Sequence, residues 1–214
     1  MVMSVMRAFF SLLGVFFLVA AGPSHAGEAD KGRALVQAAV DEGLGTFTSK
    51  TYPLDERARL LDSLLRRYSD AELLASGSLG RHWPKLTPAE QAEFTTTFMR
   101  YVVSSYVGLL KNLQGGTVVK IGEATEAPGG KVRVSSTVTL PSQPGVPLPV
   151  DWDLVTKPDG RLVVVDVTAD GISIIRAMKD DFASVLRSSG GKVAPLLDAL
   201  ARKIAENDQV NAAR

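Results

Sequence analysis

The stretch PVDWDLVTKPDGRLVVVDVTADGISIIRAM, residues Pro149 to Met178, decides the fold. Val150, Trp152 and Leu154 alternate with Asp151 and Asp153, a period of two that gives one apolar and one acidic face, as in a half-buried strand. Lys157-Pro158-Asp159-Gly160 is turn chemistry, so the chain doubles back as a hairpin. The second arm, Leu162 to Val167, is a nearly unbroken branched run that suits a strand covered on both faces. Asp170-Gly171 breaks it. From Ser173 onward Ile174, Ile175, Met178, Phe182, Val185 and Leu186 recur at three to four residue spacing, which predicts a helix with one apolar stripe.

Working upstream, Lys131 to Leu140 alternates Val132, Val134, Ser136, Val138 and Leu140 with polar residues, a strand with one wet face. Val118 to Gly122 is a shorter strand before a Pro128-Gly129-Gly130 turn, and the proline-rich segment Pro141 to Pro149 is a loop. Before the strands, Thr87-Pro88-Ala89-Glu90 combines a capping threonine, a first-turn proline and a glutamate three residues on, so a long helix starts there and runs to about Asn112. Phe94, Phe98, Tyr101, Val102, Tyr106, Leu109 and Leu110 lie on one broad side of it. Arg81 to Leu86, with His82 and Trp83, is a connector. Earlier helices are expected over Glu28 to Val40, closed by Gly43-Leu44-Gly45, from Pro53 with Leu54, Ala58, Leu61, Leu64, Leu65 and Tyr68 on one side, and over Asp70 to Leu79. A last helix carries Val193, Leu196, Leu197, Leu200 and Ile204, and the polar tail from Asn207 is expected to fray. Helices, four strands, then helices give an α+β fold, an antiparallel four-stranded sheet covered by about six helices.

Residues 1–26 stand apart. Arg7, an apolar run from Phe9 to Ala21 and Ser24-His25-Ala26 read as a secretory signal peptide, leaving 27–214 as one domain. The run is too short to cross a bilayer as a helix, and no cysteine follows it to carry a lipid anchor. Losing Arg7 from 24 basic residues leaves 23 against 23 acidic ones, a net charge of zero. Such a chain has no electrostatic footprint for nucleic acid. With no cysteine in 214 residues, a hydrophobic core must hold an exported fold without disulfides, and thiol chemistry is absent.

Catalytic parts are few. Ser173 stands two residues after Gly171, but a GxSxG elbow needs glycine where Ile175 stands, and its triad needs a histidine that only His82 could supply. Ser173 reads better as a helix cap. Asp166, the one acid in an apolar strand, reads as a structural hydrogen-bond acceptor or ion-pair member. No spacing suits a metal, and no cofactor motif is present. A hydrolase using Ser173, His82 and Asp166 is the enzymatic alternative; a solid-cored adaptor bridging membrane complexes is the other.

Leu79-Gly80 followed by Trp83, then Thr87-Pro88, Gln91, Phe94, Phe98 and Tyr106, resembles the N-terminal half of the MlaC family, periplasmic phospholipid-binding proteins also called toluene tolerance proteins. Asp166, Ala169-Asp170-Gly171-Ile172-Ser173-Ile174, Phe182, Leu186-Arg187 and Gly190 are similar to that family's aspartate, turn and following helix. Leu162 stands where the family usually has an aromatic residue, and Asp170 replaces its common glutamate. A hopanoid-associated branch, HpnM, is similar in pattern.

The resemblance implies a deep apolar cavity for acyl chains between sheet and helices, and a lipid carrier that shuttles between an inner-membrane ABC transporter complex and an outer-membrane lipoprotein complex. On this reading Phe94, Phe98, Tyr101, Val102 and Tyr106 supply one wall, Val134, Val138, Trp152 and Leu154 the sheet side, Ile175, Met178 and Phe182 the closure, and Trp83 a further contact. At about 0.8 kcal/mol per methylene, a 16-carbon tail represents roughly 12 kcal/mol that such a wall must match.

Overall fold

The computed structural model describes residues 27–49, 52–110, 113, 115–127 and 129–213. The signal-peptide segment, Asn112 and Pro128 lie outside them. Four helices come first: α1 (Glu28–Ser49), α2 (Leu54–Tyr68), α3 (Ala71–Leu79) and, after a 3₁₀ turn over Gly80–Lys85, α4 (Pro88–Leu110). Then follow β1 (Val118–Ala127), β2 (Lys131–Thr139), β3 (Leu148–Thr156), β4 (Leu162–Ala169) and β5 (Ile172–Ser173), with α5 (Ile174–Ser188) and α6 (Ala194–Ala212) last.

The sheet is an antiparallel meander in the order β1-β2-β3-β4-β5, so it has five strands and not four. The extra strand is only Ile172 and Ser173, paired with Ala169 and Thr168. Two residues carry no readable period. β1 is also longer than expected, because a register shift between Ile121 and Ala124 lets pairing resume as far as Ala127.

Each face of the sheet follows from the alternation. Val132↔Leu154 and Val134↔Trp152 are cross-strand pairs, and Leu154 aligns with Val164 on the next strand. These side chains meet Val36 and Val40 of α1 in one buried cluster. The opposite face carries Arg133, whose guanidinium donates to both oxygens of Asp153 at 2.7 and 2.9 Å across the strands. A second, larger cluster joins α3, α4, α5 and α6 beside the β4 edge.

Two helices outrun their expected ends. α1 continues through Gly43 and Gly45 to Ser49, because Leu44 packs on the sheet cluster and Phe47 is buried, which offsets the cost of about 1 kcal/mol per helical glycine. α6 continues through the polar tail to Ala212, where Asn207 donates to the hydroxyls of Ser104 and Ser105 at 3.2 and 3.1 Å, and Asn211 to the Ser104 carbonyl at 2.8 Å. The polar residues read as fraying instead fasten α6 to α4.

Three polar links position the layers. Asp70 caps α3 by accepting from the N–H groups of Glu72 and Leu73, both at 3.0 Å, and also accepts from Lys157 of the β3–β4 turn at 2.5 Å. Burial alone would raise its pKa, but Lys157 and the two N–H groups outweigh that and hold the carboxyl below its usual range. Thr156 donates to Glu28 at 2.8 Å, tying β3 to the start of α1. At the start of α4, the Thr87 N–H donates to Glu90 Oε2 at 2.8 Å while the Glu90 N–H donates to Thr87 Oγ1 at 3.3 Å, the reciprocal pair of a capping box.

Candidate functional site

Between the sheet and the helices lies a pocket of about 350 Å³ whose wall exposes almost no polar surface. α2 contributes Leu61 and Leu65, α4 contributes Phe98, Val102 and Tyr106, and α5 contributes Ile174, Ile175 and Met178. The sheet side is Trp152 of β3 with Val164, Asp166 and Val167 of β4, and Ser69 and Leu74 complete the lining. The 3.6-residue period of α4 places Phe98, Val102 and Tyr106 successive turns apart on one line. Burial decreases along that line, from Phe98 at 0 % and Val102 at 9 % exposed to a half-buried Tyr106. Burial, with Tyr101 and Asp166 adding to it, holds the Tyr106 phenol above its usual pKa, so the ring stays neutral.

Ser69, Trp152 and Asp166 at the pocket all have hydrogen-bond partners, Ser69 donating to the Leu65 carbonyl. Asp166 accepts from the backbone N–H of Val167 at 2.8 Å and of Ile175 at 3.1 Å, and from the Ser173 hydroxyl. Ser173 in turn caps α5 by accepting from the Arg176 N–H at 3.0 Å. The aspartate thus locks the β4–β5 turn to the first turn of α5, which sets where Ile174, Ile175 and Met178 stand. Asp170 in that turn has φ 50°, a left-handed conformation that costs a non-glycine residue energy, and Gly171 follows at φ 77°. Across the pocket, the Trp152 indole N–H donates to Ser136 Oγ at 2.9 Å, which leaves the ring face apolar.

Of the residues singled out in the sequence, Phe98, Val102, Tyr106, Trp152, Ile175 and Met178 come together in this wall. Phe94 and Phe182 pack in the helical cluster behind it, with ring centroids 6.1 Å apart and edge to face; Phe98 stands 5.8 Å from Phe94, Tyr101 6.2 Å from Phe182, and Trp83 6.5 Å from Phe94. Val134 and Leu154 are buried under α1, and Val138 is half-buried beside Val119 and Leu148 on the neighbouring strands. The lining also includes Leu61, Leu65, Leu74, Val164, Val167 and Ile174, which the sequence reading does not assign to the site. The amphipathic stripe of α2 was the available signal for the first two.

Ser173 and Asp166 touch, yet His82 is not their partner. Its surroundings are burial and the charges of Arg81, Lys85 and Arg187, which together hold the imidazole below its usual pKa. Its Nε2 is buried without a hydrogen-bond partner. The three residues therefore form no triad, and no group of His, Asp and Glu among the described residues is placed to hold a metal. A polar groove of about 690 Å³ borders the other side of Asp166 and Ile175, lined by Arg133, Asp153, Arg176, Lys179 and Asp180, three cations facing three acids when Asp166 is included. No described helix is long and apolar enough to cross a membrane.

An α+β domain whose pocket between sheet and helices is lined almost wholly by apolar surface has the build of a binding domain. The sequence pattern of the MlaC protein matches residues 37–202, and the chain belongs to that family. Its structure is similar to that of a phospholipid-binding protein from Ralstonia solanacearum, solved in complex with a phospholipid: TM-score 0.72, 26 % identity, covering 82 % of this chain and 98 % of that one.

Proposed function

We propose that this protein is a periplasmic carrier of membrane phospholipid that takes acyl chain into the pocket between α2, α4, α5 and the β3–β4 strands, and that shuttles lipid between an inner-membrane ABC transporter complex and an outer-membrane lipoprotein complex. The supporting observation is the apolar pocket itself, in a fold shared with a phospholipid-bound neighbour. Withdrawal of methylenes from water at about 0.8 kcal/mol each drives such binding without any polar contact. Phe98, Val102, Tyr106, Trp152, Ile175 and Met178 are the proposed contacts. At about 350 Å³ the pocket is near the lower end of the about 300–1,000 Å³ range of ligand sites. α2, which fully buries none of its residues, is the wall that yields at least cost.

Native mass spectrometry of protein released from a periplasm tests this reading. The expected result is a bound mass that organic solvent extracts as phospholipid, and its loss in Val102→Trp, where the larger ring occupies the pocket. Protein that is lipid-free as isolated, and that takes up none from vesicles, would overturn it.

A further inference from the structure

Five of the six large hydrophobic side chains exposed among the described residues gather at one end of the molecule. They are Leu109, Val118, Val146, Leu148 and Ile172; the sixth, Val210, is on α6. The antiparallel register makes this one end: β1 begins at Val118, β2 ends at Thr139, β3 begins at Leu148, β4 ends at Ala169 and β5 begins at Ile172.

Burial falls off from the pocket toward the same end. Along α4, the pocket residues Phe98, Val102 and Tyr106 lead outward to Leu109, which is 55 % exposed. Along α5 in the reverse direction, Met178 is 7 % exposed, Ile175 and Ile174 are half-buried, and Ile172 is 65 % exposed. β4 runs the same way, from buried Val164 to half-buried Val167 and Ala169. Three elements thus agree on where the interior meets the surface.

The chemistry of this end identifies what it meets. From Leu140 to Val150 the chain carries no charge, and Pro141, Pro144, Pro147 and Pro149 fix φ at four of those positions. Val146 therefore projects from a loop that has little conformational freedom left to lose on insertion. The exposed side chains are all aliphatic. Tyr, Trp and Arg, which anchor most protein–protein interfaces, are absent from the five, and so is the charge pattern by which one protein selects another. Separate aliphatic points, two of them on the uncharged segment between β2 and β3, around an apolar opening suit a lipid bilayer surface, which asks for apolar area and no partner-specific pairing.

Resting on the carrier reading, we infer that this aliphatic rim docks on the bilayer, so that an acyl chain passes between membrane and pocket without crossing water. The five rim side chains carry no charge, so apolar contact and not attraction to anionic lipid drives the docking. Docking is therefore indifferent to salt, unlike the adsorption of a basic surface.

The test is flotation of the full-length mature protein with vesicles of phosphatidylcholine alone, at low and high salt, for the wild type and for Val146→Asp, Ile172→Asp and Val210→Asp. All three positions are exposed, so folding is retained and is checked by thermal melting. The expected result is salt-independent flotation of the wild type and of Val210→Asp, weakened by at least about tenfold in each of the other two. Absence of wild-type flotation, unchanged flotation of both rim variants, or association only with vesicles that hold a membrane protein would overturn the inference, the last assigning the rim to a protein partner. Native mass spectrometry on the same preparations separates the two readings. Protein loaded with lipid that ignores vesicles refutes the rim alone, whereas empty protein that floats but acquires no lipid refutes the carrier alone.

Discussion

The indole N–H of Trp152 donates to Ser136 Oγ at 2.9 Å, and that hydroxyl donates onward to the Val150 carbonyl at 2.9 Å. The pair joins β2 to β3 and turns a ring with a polar edge into an apolar wall. Ser136→Ala leaves the indole donor unpaired in a half-buried position. Urea unfolding should show a loss of about 1–3 kcal/mol, and the lipid stoichiometry should fall as the ring reorients. Unchanged stability would show that the bond does not hold the tryptophan.

Asp166 serves three donors at the β4–α5 junction. An asparagine offers one acceptor oxygen where the carboxylate offers two, so Asp166→Asn should cost about 1–3 kcal/mol. It should abolish no hydrolytic activity, because no histidine completes a triad. An ester-cleaving activity present in the wild type and lost in this variant and in His82→Ala would reverse that conclusion.

Two glycines of α1 give opposite predictions. A methyl on Gly32 would stand 2.6 Å from Val132 Cγ1, whereas nothing lies within 4 Å of one on Gly43. Alanine favours a helix over glycine by about 1 kcal/mol, so Gly43→Ala should raise the unfolding midpoint. At Gly32 overpacking of about 1–3 kcal/mol acts against that gain, and the variant should be less stable than the wild type. Thermal melts of the two side by side decide the matter.

Asp70 makes part of the stability pH-dependent. Its folded pKa is depressed, so its contribution is complete above the ordinary carboxylate value of about 3.9 and is lost as pH falls through the lower folded value. Asparagine keeps the helix cap but removes the charge facing Lys157. Asp70→Asn should therefore be less stable by about 1 kcal/mol at neutral pH, and the two proteins should converge in strong acid. A difference that persists at low pH would place the effect in packing.

The hairpin, the long α4 and the Ser173 cap were legible because each rests on local chemistry: alternation about Trp152, the Lys157–Gly160 turn, the box of Thr87 and Glu90. What tertiary contact decides was not. The Ser104 hydroxyl and carbonyl that hold Asn207 and Asn211 lie a hundred residues away in sequence, and Leu44 with Phe47 overrides the glycine signal in α1. The site shows the same limit. Phe94 and Phe98 share one face of α4, yet only Phe98 reaches the pocket, since what stands opposite each ring is set by α5 and β4 and not by helical period. Asp166 was read as structural, and its three donors give that role a form.

The strands lie side by side in the order in which they are made, so the sheet assembles by closing short loops, the kind of contact that forms fastest. α1 is different: it emerges first, and its bond from Glu28 to Thr156 spans 128 residues. The N-terminal helix must wait until β1, β2 and β3 have been made before the surface that receives it exists. Docking of α1 therefore follows the making of β3, and Trp152, packed against the cluster that holds Val36 and Val40, is placed to report it by fluorescence.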